Sequence, residues 1–357
     1  MTALRAAAVV LGAATVLLTV GSAVRTVVLP RAVVARIGRV VFLTVRLVFR
    51  LRIGPSAPYE RRDRVLALYA PTALMVLLAT WLVLVLAGGT AIFWGLGQGH
   101  RGLRAAFDTA GSSVLTLGFA RPSDLPSTVV AFAEAATGLL LLALLITYLP
   151  SIYSAFSRRE ALVASLETPA GSPPSPANFL VRLRKIRGLD DMTDLWKEWE
   201  RWFVELQETH ISFPSLVYFR SPLPEQSWVT AAGVVLDTAA LAASTLDRPT
   251  DPAAQLMLRS GWLALRRVAA YFGLPHATDP RPTDAISVTK EEYDALYDSL
   301  QAEAVPLKAD RDQAWRDFAG WRVNYDQALI GLARLTDAPP APWSSDRPYR
   351  RAPWYRP

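Results

Sequence analysis

Three stretches of this chain, residues 6–29, 66–94 and 127–156, are apolar over enough length to cross the hydrocarbon core of a bilayer, which takes about 20 helical residues. Lipid offers the backbone no hydrogen-bonding partner, so each stretch has to satisfy its own amides and carbonyls and is expected as a helix. The fold class that follows is an all-α membrane protein. Arginines flank every stretch, and their distribution sets the topology. Residues 31–64 hold Arg31, Arg36, Arg39, Arg46, Arg50, Arg52, Arg61, Arg62 and Arg64 against Glu60 and Asp63, an excess that places this segment in the cytoplasm. After the second stretch, Arg101, Arg104 and Arg121 are nearly balanced by Asp108 and Asp124, as on an outer face. Arg158 and Arg159 follow the third stretch inside. The expected protein is multi-pass in the plasma (inner) membrane, with its N-terminus outside and its C-terminal half cytosolic.

Net charge is +7, which in a soluble chain would point to nucleic acid. Here most of the excess borders apolar stretches, so topology accounts for it and no nucleic-acid partner is expected. The absence of cysteine removes disulfides and thiolate metal sites. His100, His210 and His276 are scattered without ligand spacing, so no metal is expected. No nucleophile–base pair stands out either, and an enzyme is not expected.

Two segments have competing readings. Arg5, the apolar run after it and Gly21-Ser22-Ala23 are similar to a cleavable signal peptide. Cleavage would leave the arginine-rich segment outside, against the charge asymmetry. In residues 33–52, Arg36, Arg39, Arg46 and Arg50 share one face at about 100° per residue, and an interfacial helix on the inner leaflet is expected. A voltage sensor also uses helical arginines, but it needs a regular ladder that residues 40–45 interrupt.

Residues 101–114 have helical composition and are too short to cross. They lead into Ser113-Val114-Leu115-Thr116-Leu117-Gly118-Phe119-Ala120-Arg121. Irregular backbone at membrane depth is tolerated only where it is buried in protein or lines a wet cavity. Its carbonyls can replace a cation's water shell, and the preceding helix end adds negative partial charge.

In its order of span, short helix, loop and span, the chain resembles the two-span pore module of bacterial potassium channels over residues 66–157. The pore loop of that family reads Thr-x-Thr-Thr-Val-Gly-Tyr-Gly-Asp. Ser113, Thr116, Gly118 and Phe119 fall where the pattern has hydroxyl, Thr, Gly and aromatic, whereas Ala120 replaces the second Gly and Arg121 the acid. The resemblance implies a re-entrant pore helix and filter loop. Thr116, Leu117, Gly118, Phe119 and Ala120 would line an ion path that holds monovalent cations, K+ among them, with no other cofactor. It also implies a homotetramer, since a closed ring of carbonyls needs four copies. Glu134 would support the filter from behind, held by Ser112, Ser113 or backbone amides, with direct ion binding as the alternative. Gly138 would be either the hinge of the inner helix or a close packing contact, and Pro150 would bend or end that helix. A left-handed backbone at Ala120 would be costly. Arg121 would put positive charge at the outer mouth unless Asp124 or Asp108 pairs with it. The filter is therefore degenerate, which leaves a weakly selective or poorly conducting pore open.

Thr-Pro-Ala-Gly-Ser-Pro-Pro-Ser-Pro at residues 168–176 breaks the third helix and reads as a domain boundary. Beyond it, Leu195, Trp199, Trp202, Phe203 and Leu206 recur at the spacing of one buried helix face. Residues 225–246 are rich in Ala and Val, but Asp237 at the centre favours a buried helix over a fourth span, with residues 251–273 as its antiparallel partner. Thr289 and Glu292 spell a capping box for a helix reaching about residue 302. One last helix is expected over 309–335. The tail alternates Pro, Trp, Tyr and Arg and is expected extended, either disordered or docked through cation–π pairing of Arg350, Arg351 or Arg356.

The expected organisation is an N-terminal transmembrane helix (1–30), a cytosolic interfacial helix (31–64), a pore domain (65–157), an all-helical cytosolic domain (158–336) and a tail (337–357). The expected function is a tetrameric cation channel in the lipid bilayer, gated or assembled by the helical domain, whose own ligand or partner is left open. The alternative is a non-conducting receptor or scaffold that retains the pore fold.

Overall fold

The structure is a computed structural model that describes residues 2–27, 36–53, 57–97, 102–189 and 191–347. Among these residues it is all helical, and the only β pairing is an isolated bridge between Leu246 and Leu307. Three helical segments are long and apolar enough to cross a membrane: Ala3–Val27, Tyr59–Gly95 and Leu125–Ala170. The chain divides into two compact units, one of Met1–Ala57 with Val65–Ser154 and one of Pro58–Arg64 with Ala155–Pro357.

In the first unit, α1 (Thr2–Val27) packs along α4 (Tyr69–Gly95). Glycines set this contact. A Cβ on Gly12 would stand 2.4 Å from the Gly88 carbonyl oxygen, and one on Gly95 would stand 2.6 Å from that of Arg5. Small residues that let backbones meet are a common glue between membrane helices. The expected interfacial helix is α2 (Arg36–Arg52), and it leans on the start of α4. Val41 and Val45 are buried, the rings of Phe42 and Phe49 meet Tyr69 edge-on, and Tyr69 donates to the Phe42 carbonyl at 3.0 Å. A further helix, α3 (Tyr59–Ala67), covers the end of the expected interfacial segment; residues 31–35 and 54–56 of that segment lie outside the described residues.

A short helix, α5 (Leu103–Val114), follows α4 and leads by a loop to α6 (Leu125–Ser165). α6 continues past Pro150 as one helix, so it does not end there. Proline removes one backbone donor, but the hydroxyls of Thr147 and Ser151 bond carbonyls one turn back, at 3.0 Å each, and keep the surrounding turns tied.

In the second unit, α7 (Glu167–Ala170) and α8 (Pro176–Arg187) occupy the Pro-rich region, and Ala170 is fully buried. Residues 168–176, from the end of α7 through a turn to the start of α8, thus lie inside the unit, whose main stretch begins upstream at Ala155. α9 (Thr193–Ser212) buries Trp196, Trp199, Trp202, Phe203 and Leu206 and packs mainly on α11 (Pro252–Tyr271). At the centre lies α10 (Trp228–Ser244), apolar on all sides and buried along almost its whole length. α12 (Lys290–Ala302) starts at the expected capping box, with both Thr289–Glu292 bonds present.

The expected last helix is two, α13 (Arg311–Arg322) and α14 (Asp326–Thr336). The break lets two residues, Arg322 and Tyr325, converge on Asp237 of α10. Arg322 binds both carboxylate oxygens of Asp237, also reaches Asp326 at 2.9 Å, and Tyr325 donates to Asp237 at 2.8 Å. Burial pulls Arg322 toward its neutral form, but Asp237 and Asp326 outweigh it and hold the guanidinium protonated. Burial lifts the Asp237 carboxyl while Arg322 and Tyr325 pull it down; with donors on both oxygens, the geometry favours the charged pair. Arg322 also donates to the Trp343 carbonyl, and Trp343 is buried against Phe318, so the tail is docked as far as residue 347. Arg350, Arg351 and Arg356 lie outside the described residues.

The last turns of α6 are anchored in this unit by buried Arg159. It donates to the carbonyls of Leu216 at 3.0 Å and Phe219 at 2.7 Å, pairs with the buried carboxylate of Glu160 at 2.7 Å, and contacts His210 Nε2 at 3.1 Å. His210 Nδ1 lies 2.8 Å from the Leu206 carbonyl, so Nδ1 carries the proton and Nε2 accepts. Burial, then the neighbouring Arg159 charge, push His210 well below the usual imidazole range against the Leu206 bond.

Candidate pore-loop site

α5 is about 18 Å long at about 1.5 Å per residue, against about 30 Å of hydrocarbon, so it cannot cross. It is wedged into the first unit by Ala106 and Ala110, which pack with Phe93 of α4 and Ala131 of α6. The small side chains on this face let the short helix approach both long ones closely.

The chain leaves α5 through a Schellman closure. Leu117 N–H donates to the Ser112 carbonyl at 2.9 Å and Thr116 N–H to that of Ser113 at 3.0 Å. This closure puts Thr116 in the left-handed region with φ 54°, a position glycine normally takes, and Gly118 follows with φ 75°. For a β-branched residue the left-handed conformation costs roughly 1–2 kcal/mol. Such strain is stored where surrounding structure holds it in place, often at functional sites. Here the holding group is Ser112. Its hydroxyl donates to the Ala120 carbonyl at 3.2 Å and accepts from the Ala120 amide at 3.0 Å. Ala120 itself is not in the left-handed region, so the strain expected there falls on Thr116 instead.

Between these anchors, none of the carbonyls of Thr116, Leu117, Gly118 and Phe119 accepts a hydrogen bond among the described residues. Leu117 and Phe119 are 63% and 66% exposed. The helix end is less generous than expected, because the Ser112 and Ser113 carbonyls are already occupied by the loop's own amides.

Glu134 is placed differently from expectation. Ser112 is committed to Ala120, and Ser113 donates to the Thr109 carbonyl at 2.9 Å, so neither holds it. The Glu134 carboxylate instead lies on Gly89 of α4, where an added Cβ would be 1.4 Å from Oε1. Both carboxylate oxygens are buried without a hydrogen-bond partner among the described residues, and α4 carries no charged side chain. Gly138 is a packing contact: a Cβ there would sit 2.0 Å from the Val114 carbonyl oxygen at the end of α5. The acids expected to offset Arg121 have other roles. Asp124 accepts from the Ser127 amide at 2.9 Å at the start of α6, and Asp108 stands 3.9 Å from Arg104.

The sequence reading overlooked Gly88 and Gly89. Adjacent on α4, they open it on two sides, Gly88 to α1 and Gly89 to Glu134. The Gly-Gly pair inside an apolar run was the available signal. Comparison with protein families, curated proteins and solved structures finds no match to this chain.

Proposed function

We propose that the chain is one subunit of a tetrameric, potassium-channel-like cation pore in which residues 116–119 dip into the bilayer from outside and the second unit is cytosolic. The observation that carries this reading is the loop itself. A non-crossing helix wedged between two membrane-length helices ends in a strained left-handed Thr116, and four successive carbonyls accept no hydrogen bond among the described residues. At membrane depth such carbonyls need water, a cation or a neighbouring subunit. Ser112 supports the loop from behind, while Glu134 and Gly138 fix α6 against α4 and α5. The arginine-rich residues 36–64 support the cytosolic side for the second unit. Movement of that unit would be transmitted through α6, which passes without interruption from Leu125 to Ser165. The test is cation flux from purified protein in liposomes. The reading expects flux that responds to Ser112 and Thr116 substitutions, and absence of flux from intact tetramers under all conditions overturns it.

The occupied Ser112 and Ser113 carbonyls, together with exposed Arg121, favour a second reading, a non-conducting scaffold that keeps the pore fold. Ala120→Gly with Arg121→Asp separates the two. A pore gains current or changes selectivity, and a scaffold is indifferent.

A further inference from the structure

Within the second unit, the segment that leads into α4 is clasped by the end of α14. Arg220 donates to the Tyr59 hydroxyl at 3.0 Å and to Asp63 at 2.6 Å, and its other nitrogen donates to the Thr336 and Asp337 carbonyls at 2.9 Å each. Arg62 reaches Asp337 at 2.8 Å, and Asp337 takes the left-handed C-terminal position of α14 with φ 52°. Beside this clasp opens a cavity of about 320 Å³ lined by Arg62, Arg334 and Arg347 with Asp337, and walled by Ile330 and Pro340.

Two of the lining arginines, Arg62 and Arg347, carry donors that make no hydrogen bond among the described residues. Arg62 Nε is buried without a hydrogen-bond partner among the described residues. Arg347 Nη2 and Nε stand 2.7 Å from Glu292 and 3.2 Å from Asp346, yet both lie off the hydrogen-bonding directions of these acids. Buried donors left unmade are costly, and guanidinium forks match the oxygens of phosphate. A phosphomonoester carries about −1.5 to −2 charge and three acceptor oxygens at neutral pH, so it competes well with a single carboxylate for the same arginine. The volume falls at the lower end of small-molecule pockets, about 300–1,000 Å³, and Ile330 and Pro340 offer an apolar wall to the body that carries the phosphate.

We propose that this cavity binds a small, water-soluble organic phosphomonoester, its phosphate held by Arg62, Arg334 and Arg347. By taking Arg62 from Asp337, the ligand would loosen one strand of the clasp on the segment before α4. The binding claim does not rest on the pore reading, because it is measured without ion flux.

The test is calorimetric titration of the full-length protein, in nanodiscs of zwitterionic lipid, with AMP, glucose 6-phosphate, inorganic phosphate and dioctanoyl phosphatidic acid. AMP or glucose 6-phosphate should bind saturably, with inorganic phosphate at least tenfold weaker. Exposed Arg334→Ala should weaken binding tenfold or more, and Ile330→Trp, which fills the cavity without removing charge, should abolish it. The proposal is overturned if neither organic phosphate binds. It also fails if both variants bind like the wild type, if inorganic phosphate binds as tightly as the esters, or if only phosphatidic acid binds.

Discussion

Glu134 and Asp237 each sit inside an apolar helix and are almost fully buried, at 3% and 1% exposure, yet the two units treat them in opposite ways. Asp237 is held by Arg322 and Tyr325, residues 85 and 88 positions away, so one acid ties α10, α13 and α14 together. Glu134 has no hydrogen-bond partner among the described residues and fits into the space left by a glycine on α4. The first acid specifies a fold through charge. The second specifies one through shape, and its uncompensated carboxyl marks α6 as the helix where a polar group is kept at a cost.

The largest effect that sharpens this contrast is Arg322→Met. It strands Asp237 and Asp326 in the core and should destabilise the second unit by about 3–5 kcal/mol in denaturant unfolding. A loss below about 1 kcal/mol would mean that the ion pair is not what ties these helices. Next is Gly89→Ala, whose methyl group overlaps Glu134 Oε1 and should cost about 1–3 kcal/mol in the melting of detergent-solubilised protein. Adding Glu134→Ala should recover most of that loss, and a double variant no better than the single one would contradict the contact. Ser112→Ala removes both bonds to Ala120, worth about 1 kcal/mol each, and should speed hydrogen exchange at the Ala120 amide while leaving α1 and α4 unaffected.

How much of this contrast was legible in the sequence follows from the range of the interactions. Apolar length marked the three membrane-length helices, and the spacing of Trp199, Trp202, Phe203 and Leu206 marked the buried face of α9, because both are properties of one contiguous segment. Thr289 and Glu292 were readable for the same reason. The partner of Asp237 was not, since nothing local to residues 225–246 points to Arg322. That pairing is also why the expected helix 309–335 breaks before Asp326. Glu134 does not meet the hydroxyls of α5, because Ser112 is taken by Ala120 and Ser113 by the Thr109 carbonyl, competing uses that its own segment does not reveal.

The smallest expected effect is a slope. His210 is depressed below its unfolded value near 6.5, so the stability it contributes is fully present above that pH and declines as pH falls below it. His210→Gln keeps an acceptor for Arg159 and should flatten the acid limb of the second unit's stability profile. An unchanged limb would show that His210 is not the group responsible.

The native chain has no cysteine, so Phe119→Cys can be spin-labelled alone and distances between copies read by pulsed dipolar spectroscopy in liposomes. A pore loop meeting its copies on a fourfold axis predicts two distances in the ratio of a square's side to its diagonal, from labels shielded from the cytosolic side. A single broad background with no dipolar modulation, or labels quenched only from the cytosolic side, would contradict it.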